Sequence, residues 1–151
     1  SIGISYFHLE KVKQSATWLQ RALVNNQSDS EALSLLGTVY LKTGEGDDIA
    51  IKFCERSVEQ EPLNFEYKIR YSRVLSASNR LDEALDMLAS CTRSKNFRAA
   101  AWLETARVHI LRDDLVAGAR YLQKIFNSKH VSKDLLDQAK ELQKSISEKA
   151  T

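Results

Sequence analysis

Residues 36–40 read Leu36-Gly37-Thr38-Val39-Tyr40, and the same pattern stands 34 positions upstream as Ile2-Gly3-Ile4-Ser5-Tyr6. Downstream it returns as Tyr71-Ser72-Arg73-Val74-Leu75 and Thr105-Ala106-Arg107-Val108-His109, with Ser or Ala in the glycine place. A period held at 34 or 35 residues marks stacked repeats, because one unit alone cannot bury its apolar face. The second half of each unit recurs in phase. Ser15-Ala16 with Leu19 and Leu23, Ala50-Ile51 with Cys54 and Val58, Ala84-Leu85 with Leu88 and Cys91, and Gly118-Ala119 with Leu122 and Ile125 are the four versions.

The recurring small residues have a steric reason. Gly3, Gly37, Ser72 and Ala106 fall on one set of helices, and Ser15, Ala50, Ala84 and Gly118 on the other. A small side chain lets the ridge of one helix settle into the groove of its neighbour. Large apolar residues flank these positions at helical spacing, as in the stripe Leu81, Ala84, Leu85, Leu88 and Cys91. Ile49, Ile51, Phe53, Cys54 and Val58 cover a wider arc. That arc suits a helix packed on two sides.

Turn signals separate the stripes. Ser28-x-x-Glu31 reads as a capping box. Gly44 and Gly46 interrupt the chain, and Pro62 stands where a helix starts or stops. Asn79, Asp113 and Ser132 are N-cap residue types. The pattern predicts helices over about 1–9, 12–26, 30–43, 48–60, 64–77, 81–93, 98–112, 115–128 and 132–148. The last has a narrow apolar stripe of Leu135, Ala139, Leu142 and Ile146 among mixed charges. It reads as a helix that solvates the end of a stack. A partner-binding or membrane-surface helix is the alternative, and the mixed charges argue against the membrane.

Composition agrees. Five Gly and one Pro in 151 residues are too few for a turn-rich sheet protein. With 28% charged and 43% hydrophobic residues the chain is suited to a folded, helix-rich domain rather than to disorder. A net charge of +2 advertises neither a nucleic-acid nor a membrane surface. No apolar run is long enough to span a bilayer, so no membrane insertion is expected. A soluble chain is the expectation; no segment fixes a compartment, and the cytoplasm is only slightly favoured.

The 34-residue pattern resembles the tetratricopeptide repeat (TPR), a helix–turn–helix unit. Trp102 stands in the family's tryptophan place. Leu36, Gly37 and Tyr40 match its Leu-Gly-Tyr run, Gly44 its turn and Pro62 its closing proline. Departures are Tyr71-Ser72 for Leu-Gly, Cys or Leu for the Phe, Asn96 and His130 for Pro, and one extra residue in Glu45-Gly46-Asp47. Other helical repeats of similar period remain open. The resemblance implies an all-α fold, a right-handed superhelical stack of antiparallel helix hairpins, in one TPR-like domain over 1–151. Its units would be about 1–28, 29–63, 64–97 and 98–131, some three and a half repeats, with a capping helix at 132–148. Ile2-Gly3 already sits at mid-helix register, so the chain is expected to be the C-terminal part of a longer array or to self-associate through its N-terminal end. Ile2, Tyr6 and Phe7 would otherwise lie uncovered.

Catalytic groups are sparse. His8, His109 and His130 are isolated, and none has metal-pair spacing. His109 takes the family's Tyr place and reads as a half-buried packing residue. Thr43-Gly44-Glu45-Gly46 lacks the Lys-Ser/Thr of a phosphate loop. Cys54 and Cys91 lie on apolar stripes and read as buried free thiols, with a disulfide or a reactive thiol as alternatives. Asp47-Asp48 and Asp113-Asp114 suit helix starts. No enzyme, no catalytic, cofactor or metal site, and no cofactor is expected.

In TPR proteins the first helices line a concave face. The resemblance therefore implies a peptide groove at Phe7, Thr38, Leu41, Ile69, Arg70, Arg73, Leu103, Arg107 and Ile110. Ile4, His8, Glu31, Ser34, Leu35, Lys42, Glu66, Ala100 and Glu104 are its in-phase neighbours. The expected partner is a protein or peptide, an acidic and hydrophobic segment whose carboxylates meet the arginines. Surface ion pairs with Glu66 or Glu104 are the alternative use of those arginines. The Lys and Asn clamp of chaperone-tail binders has Leu35 in its place. The implied function is a protein-interaction scaffold within an assembly, secretion or chaperone-type complex. An RNA-binding helical-repeat protein and a structural oligomerisation segment are the alternatives; no nucleic-acid partner is expected.

Overall fold

A computed structural model describes residues 2–26, 29–44 and 46–151, with side chains from Glu10 onward. Among the described residues every regular element is a helix, with no strand. In chain order the helices are α1 (Ile2–Asn25), α2 (Ser30–Thr43), α3 (Asp47–Gln60), α4 (Phe65–Ala77) and α5 (Leu81–Ala89). A short 3-10 turn, Cys91–Arg93, follows, and then α6 (Arg98–Leu111), α7 (Leu115–Phe126) and α8 (Lys133–Ala150).

The chain divides into two compact units, Ser1–Asn79 and Arg80–Thr151. In the first, α2 packs on α1, α3 and α4, and α3 also meets α4. In the second, α6 packs on α5, α7 and α8, and α7 also meets α8. Leu33, Leu36, Ala50, Cys54, Val74 and Leu75 are buried in the first unit. Leu103, Ala106, Leu122, Ile125 and Ala139 form a buried cluster in the second, with Trp102, Leu135, Leu142 and Ile146 against it. The stripe expected for the last helix is therefore its packing face.

Two hairpins close at a glycine. A Cβ on Gly37 would collide with Sγ of Cys54 and stand 2.9 Å from the Ala50 carbonyl oxygen. A Cβ on Gly118 would stand 2.9 Å from Cγ1 of Ile110. Backbone and neighbour thus meet at the positions that sequence periodicity singled out. Cys54 and Cys91 are buried and neither is in a disulfide. Burial pushes the Cys54 thiol up to about 12, so its reactive thiolate form is suppressed.

Several boundaries differ from expectation. Helices over 1–9 and 12–26 were expected, and one helix, Ile2–Asn25, runs through both. The intervening His8-Leu9-Glu10-Lys11-Val12-Lys13 contains no Gly, Pro, Asn or Asp to stop it. The helix expected over 81–93 ends at Ala89 and tightens into the 3-10 turn. Thr92 Oγ1 donates to the Ala89 carbonyl there, one of the local bonds by which Ser and Thr compete with a helix.

Caps explain the other ends. Ser28 lies outside the described residues, and α2 is capped by Asp29, which accepts from the Ala32 N–H at 3.0 Å. Asn79 and Asp113 are not the caps of α5 and α7. Both adopt left-handed backbone, φ 60° and 63°, one residue before the cap position. Asn and Asp tolerate that region better than most side chains. The α7 cap is Asp114, accepting from Ala117 N–H at 3.1 Å. Ser132 caps α8 as expected, accepting from Leu135 N–H at 3.2 Å. Gly44 ends α2 in the left-handed conformation, φ 69°, where Gly carries no Cβ penalty.

His109 is partly buried, with its ring stacked on Tyr121 at 5.5 Å and its Nδ1 without a hydrogen-bond partner. Burial lowers its pKa below the ordinary 6.5; Arg112 and Arg120 add to this and Asp114 opposes it. The folded chain therefore binds fewer protons here than the unfolded chain. This contribution to stability is complete above pH 6.5 and declines as pH falls below it. Melting temperatures on either side of that pH are expected to differ more in wild type than in His109→Phe, which keeps an aromatic stack. Equal acid sensitivity in the two would contradict this.

Candidate functional site

The first unit carries a polar network across two neighbouring helices. Arg70 on α4 donates through Nη1 to Glu31 Oε1 at 3.2 Å and to Ser34 Oγ at 3.2 Å, both on α2. Its Nη2 reaches Glu66 Oε1 at 2.8 Å, one helical turn back. The guanidinium stands 5.9 Å from the Tyr67 ring centroid. Burial, then a hydrogen bond to Glu31, pushes the Tyr67 phenol up to about 12. Planar guanidinium geometry suits this many-partner role, which a lysine would not fill. Since only 16% of the Arg70 side chain is exposed, the network pins α2 beside α4.

On the same two helices, Thr38 and Leu41 of α2 are half-buried and Arg73 of α4 is exposed. Ile69 is buried at 5% exposure and belongs to the core. The side chain of Phe7 lies outside the described residues, as do those of Ile4 and His8, so the expected uncovered N-terminal end does too.

In the second unit, Arg107 on α6 donates to Glu104 Oε1 at 3.0 Å and to Gln138 Oε1 at 2.7 Å on α8. Glu104 is only 5% exposed, so Arg107 neutralises a covered carboxylate. Leu103 and Ile110 are buried. Of the expected groove positions, Arg70 forms the network, Thr38 reaches the Ser34 carbonyl beside it at 3.4 Å, Leu41 and Arg73 lie further along the same two helices, and in the second unit Arg107 is partly open. Tyr67 and Gln138 were not foreseen. Tyr67 is one residue out of the groove phase, and Gln138 comes from a helix outside the repeat pattern.

Among the described residues no group of His, Cys, Asp or Glu is arranged to hold a metal. None of the described helices is long and apolar enough to cross a membrane.

No family model and no curated protein matches the chain in sequence. Solved structures are similar in fold. PilF of Pseudomonas aeruginosa, 17% identical, superposes with a TM-score of 0.74 over 97% of this chain and 67% of its own. A thermophilic TPR protein of Thermus thermophilus, 22% identical, gives 0.76 over 96% and 79%. YrrB, described as a TPR protein with an unusual peptide-binding site, is 22% identical and gives 0.70 over 94% and 71%. At these identities the likeness is one of fold.

Proposed function

We propose, for a chain whose fold is that of the tetratricopeptide-repeat proteins, that it is a protein-interaction module holding an extended partner segment on its first helices. The observation that carries this is the side-by-side seating of α2 and α4, linked by Arg70 to Glu31 and Ser34. It joins the outward residues of two successive first helices into one surface. A likeness to YrrB, itself a protein with a peptide-binding site, supports the reading. The partner is an apolar segment with at least one carboxylate. Leu41 offers the apolar contact and Arg73, exposed on α4, a cation, whereas Arg70 is largely covered, with 16% of its side chain exposed. The repeat partition into four units and a capping helix belongs to the same proposal.

This difference in exposure sets the test. Removing Arg70 or Arg107 would disturb packing as well as binding, so Leu41→Ser and Arg73→Ala are the informative variants. Peptides are selected from a random display library on the intact chain. Enriched sequences are expected to combine acidic and apolar residues. Affinity is expected to fall about tenfold or more in the double variant, with helicity unchanged. Binding of the selected peptides that is indifferent to both substitutions would overturn the proposal.

A further inference from the structure

The second unit holds a cavity of about 610 Å³ between the connection into α6 and the connection into α8. Lys95, Asn96 and Arg98 line it from one side, and Asn127, Lys129 and His130 from the other. We propose that this cavity binds a phosphomonoester group.

Charge is the first argument. The chain has 20 Asp and Glu, yet none falls in 87–103 or 115–133. The two stretches carry three and four Lys or Arg, of which Lys95, Arg98 and Lys129 line the cavity. Elsewhere in this unit arginines find carboxylates, as Arg80 finds Glu83 and Arg112 finds Asp82. Among the described residues, no carboxylate lies within ion-pair distance of Lys95, Arg98 or Lys129. Arg98 and Lys124 both lean on the Trp102 ring, each 5.7 Å from its centroid. Like charges gathered without a counter-charge repel, and a bound anion relieves that cost.

The backbone adds to it. α6 starts at Arg98 with no side-chain cap and no acid in its first turn, and Ala99 of that turn lines the cavity. The Phe97 and Arg98 N–H groups already donate to the Ser94 carbonyl, so what remains to favour an anion is the N–H groups further into the first turn and the positive end of the helix dipole.

Size and donor type select the anion. A phosphomonoester carries nearly two negative charges at neutral pH and three acceptor oxygens. That matches separate point-charge lysines and an arginine brought from two connections better than a flat carboxylate, which prefers one bidentate arginine. The volume lies in the range of small-molecule sites and exceeds what one inorganic ion fills. The group is therefore carried by something larger, a phosphorylated peptide side chain or a small phosphorylated molecule. The proposal is independent of the first-helix surface.

Trp102 beside Arg98 supplies the readout. The intact chain is titrated with phenyl phosphate, with a phosphoserine peptide and its unphosphorylated form, and with poly(U), following tryptophan fluorescence. A saturable change is expected with phenyl phosphate or the phosphopeptide and not with the unphosphorylated peptide. The tighter of the two identifies the source. Lys95→Ala/Lys129→Ala is expected to weaken binding about tenfold or more. Lys140→Ala/Lys144→Ala, on the exposed face of α8, removes the same charge and is expected to leave it intact. Three results would overturn the proposal: no saturation with either phosphomonoester, equal weakening by both double variants, or binding of poly(U) alone.

Discussion

Gly37→Ala is expected to destabilise the chain by about 3 kcal/mol. Helix propensity alone points the other way, since Ala in a helix interior is favoured over Gly by about 1 kcal/mol. Sterics decide the sign. The new methyl would occupy the place of Cys54 Sγ and press on the Ala50 carbonyl at 2.9 Å. One neighbour is fully buried and the other is backbone, so neither yields cheaply. Gly118→Ala is the comparison. Its closest neighbour is the Ile110 side chain, and the Ala106 carbonyl is farther, at 3.5 Å. The smaller loss is expected there. Adding Cys54→Ala to Gly37→Ala is expected to restore part of the stability and not all of it, because the carbonyl contact remains. Urea midpoints of the four proteins check the order. A Gly37→Ala chain more stable than wild type would mean that α2 and α3 do not meet at this residue.

Ala139→Asp is expected to have a comparable or larger effect, about 4 kcal/mol or more. Ala139 is fully buried where α8 meets Leu103, Ala106, Leu122 and Ile125. A carboxylate placed there is either charged without a partner or held neutral at a cost, and it is too large for the space. Release of α8 would uncover leucine and isoleucine side chains. The variant is therefore expected to bind a hydrophobic dye as well as to melt early. Lys140→Asp, one residue on and exposed, is expected to show neither change. Equal behaviour of the two variants would place the packing face of α8 elsewhere.

The repeat was legible because steric demand acts on residue size at a fixed period. Gly37 with Ala50 and Ala106 with Gly118 could be paired from the sequence since close approach admits few residue types. Caps were harder. Asn79 and Asp113 belong to a class favoured both at N-caps and in left-handed turns, and only the backbone angles separate the two roles. The continuity of α1 was hidden by the repeat itself. Phase demanded a turn near residue 10, but the local residues are all compatible with a helix.

The candidate surface was legible only in part. Arg70, Arg73 and Arg107 were located by phase, but their uses depend on long-range partners. Glu31 lies 39 residues from Arg70 and Gln138 lies 31 from Arg107. No local rule joins such pairs. Ile69, Leu103 and Ile110 share the groove phase with residues that remain open, and their burial follows from packing that phase does not report. The cationic cavity is made by two connections, where repeat periodicity is weakest.

Constant phase between paired helices underlies the fold and the first-helix surface, and a nuclear Overhauser spectrum of the intact chain tests it directly. Cross-peaks are expected between the Gly37 Hα protons and the Cys54 Hβ protons, and between the Gly118 Hα protons and the Ile110 side chain. A spectrum in which both glycines instead contact unrelated segments would contradict the account.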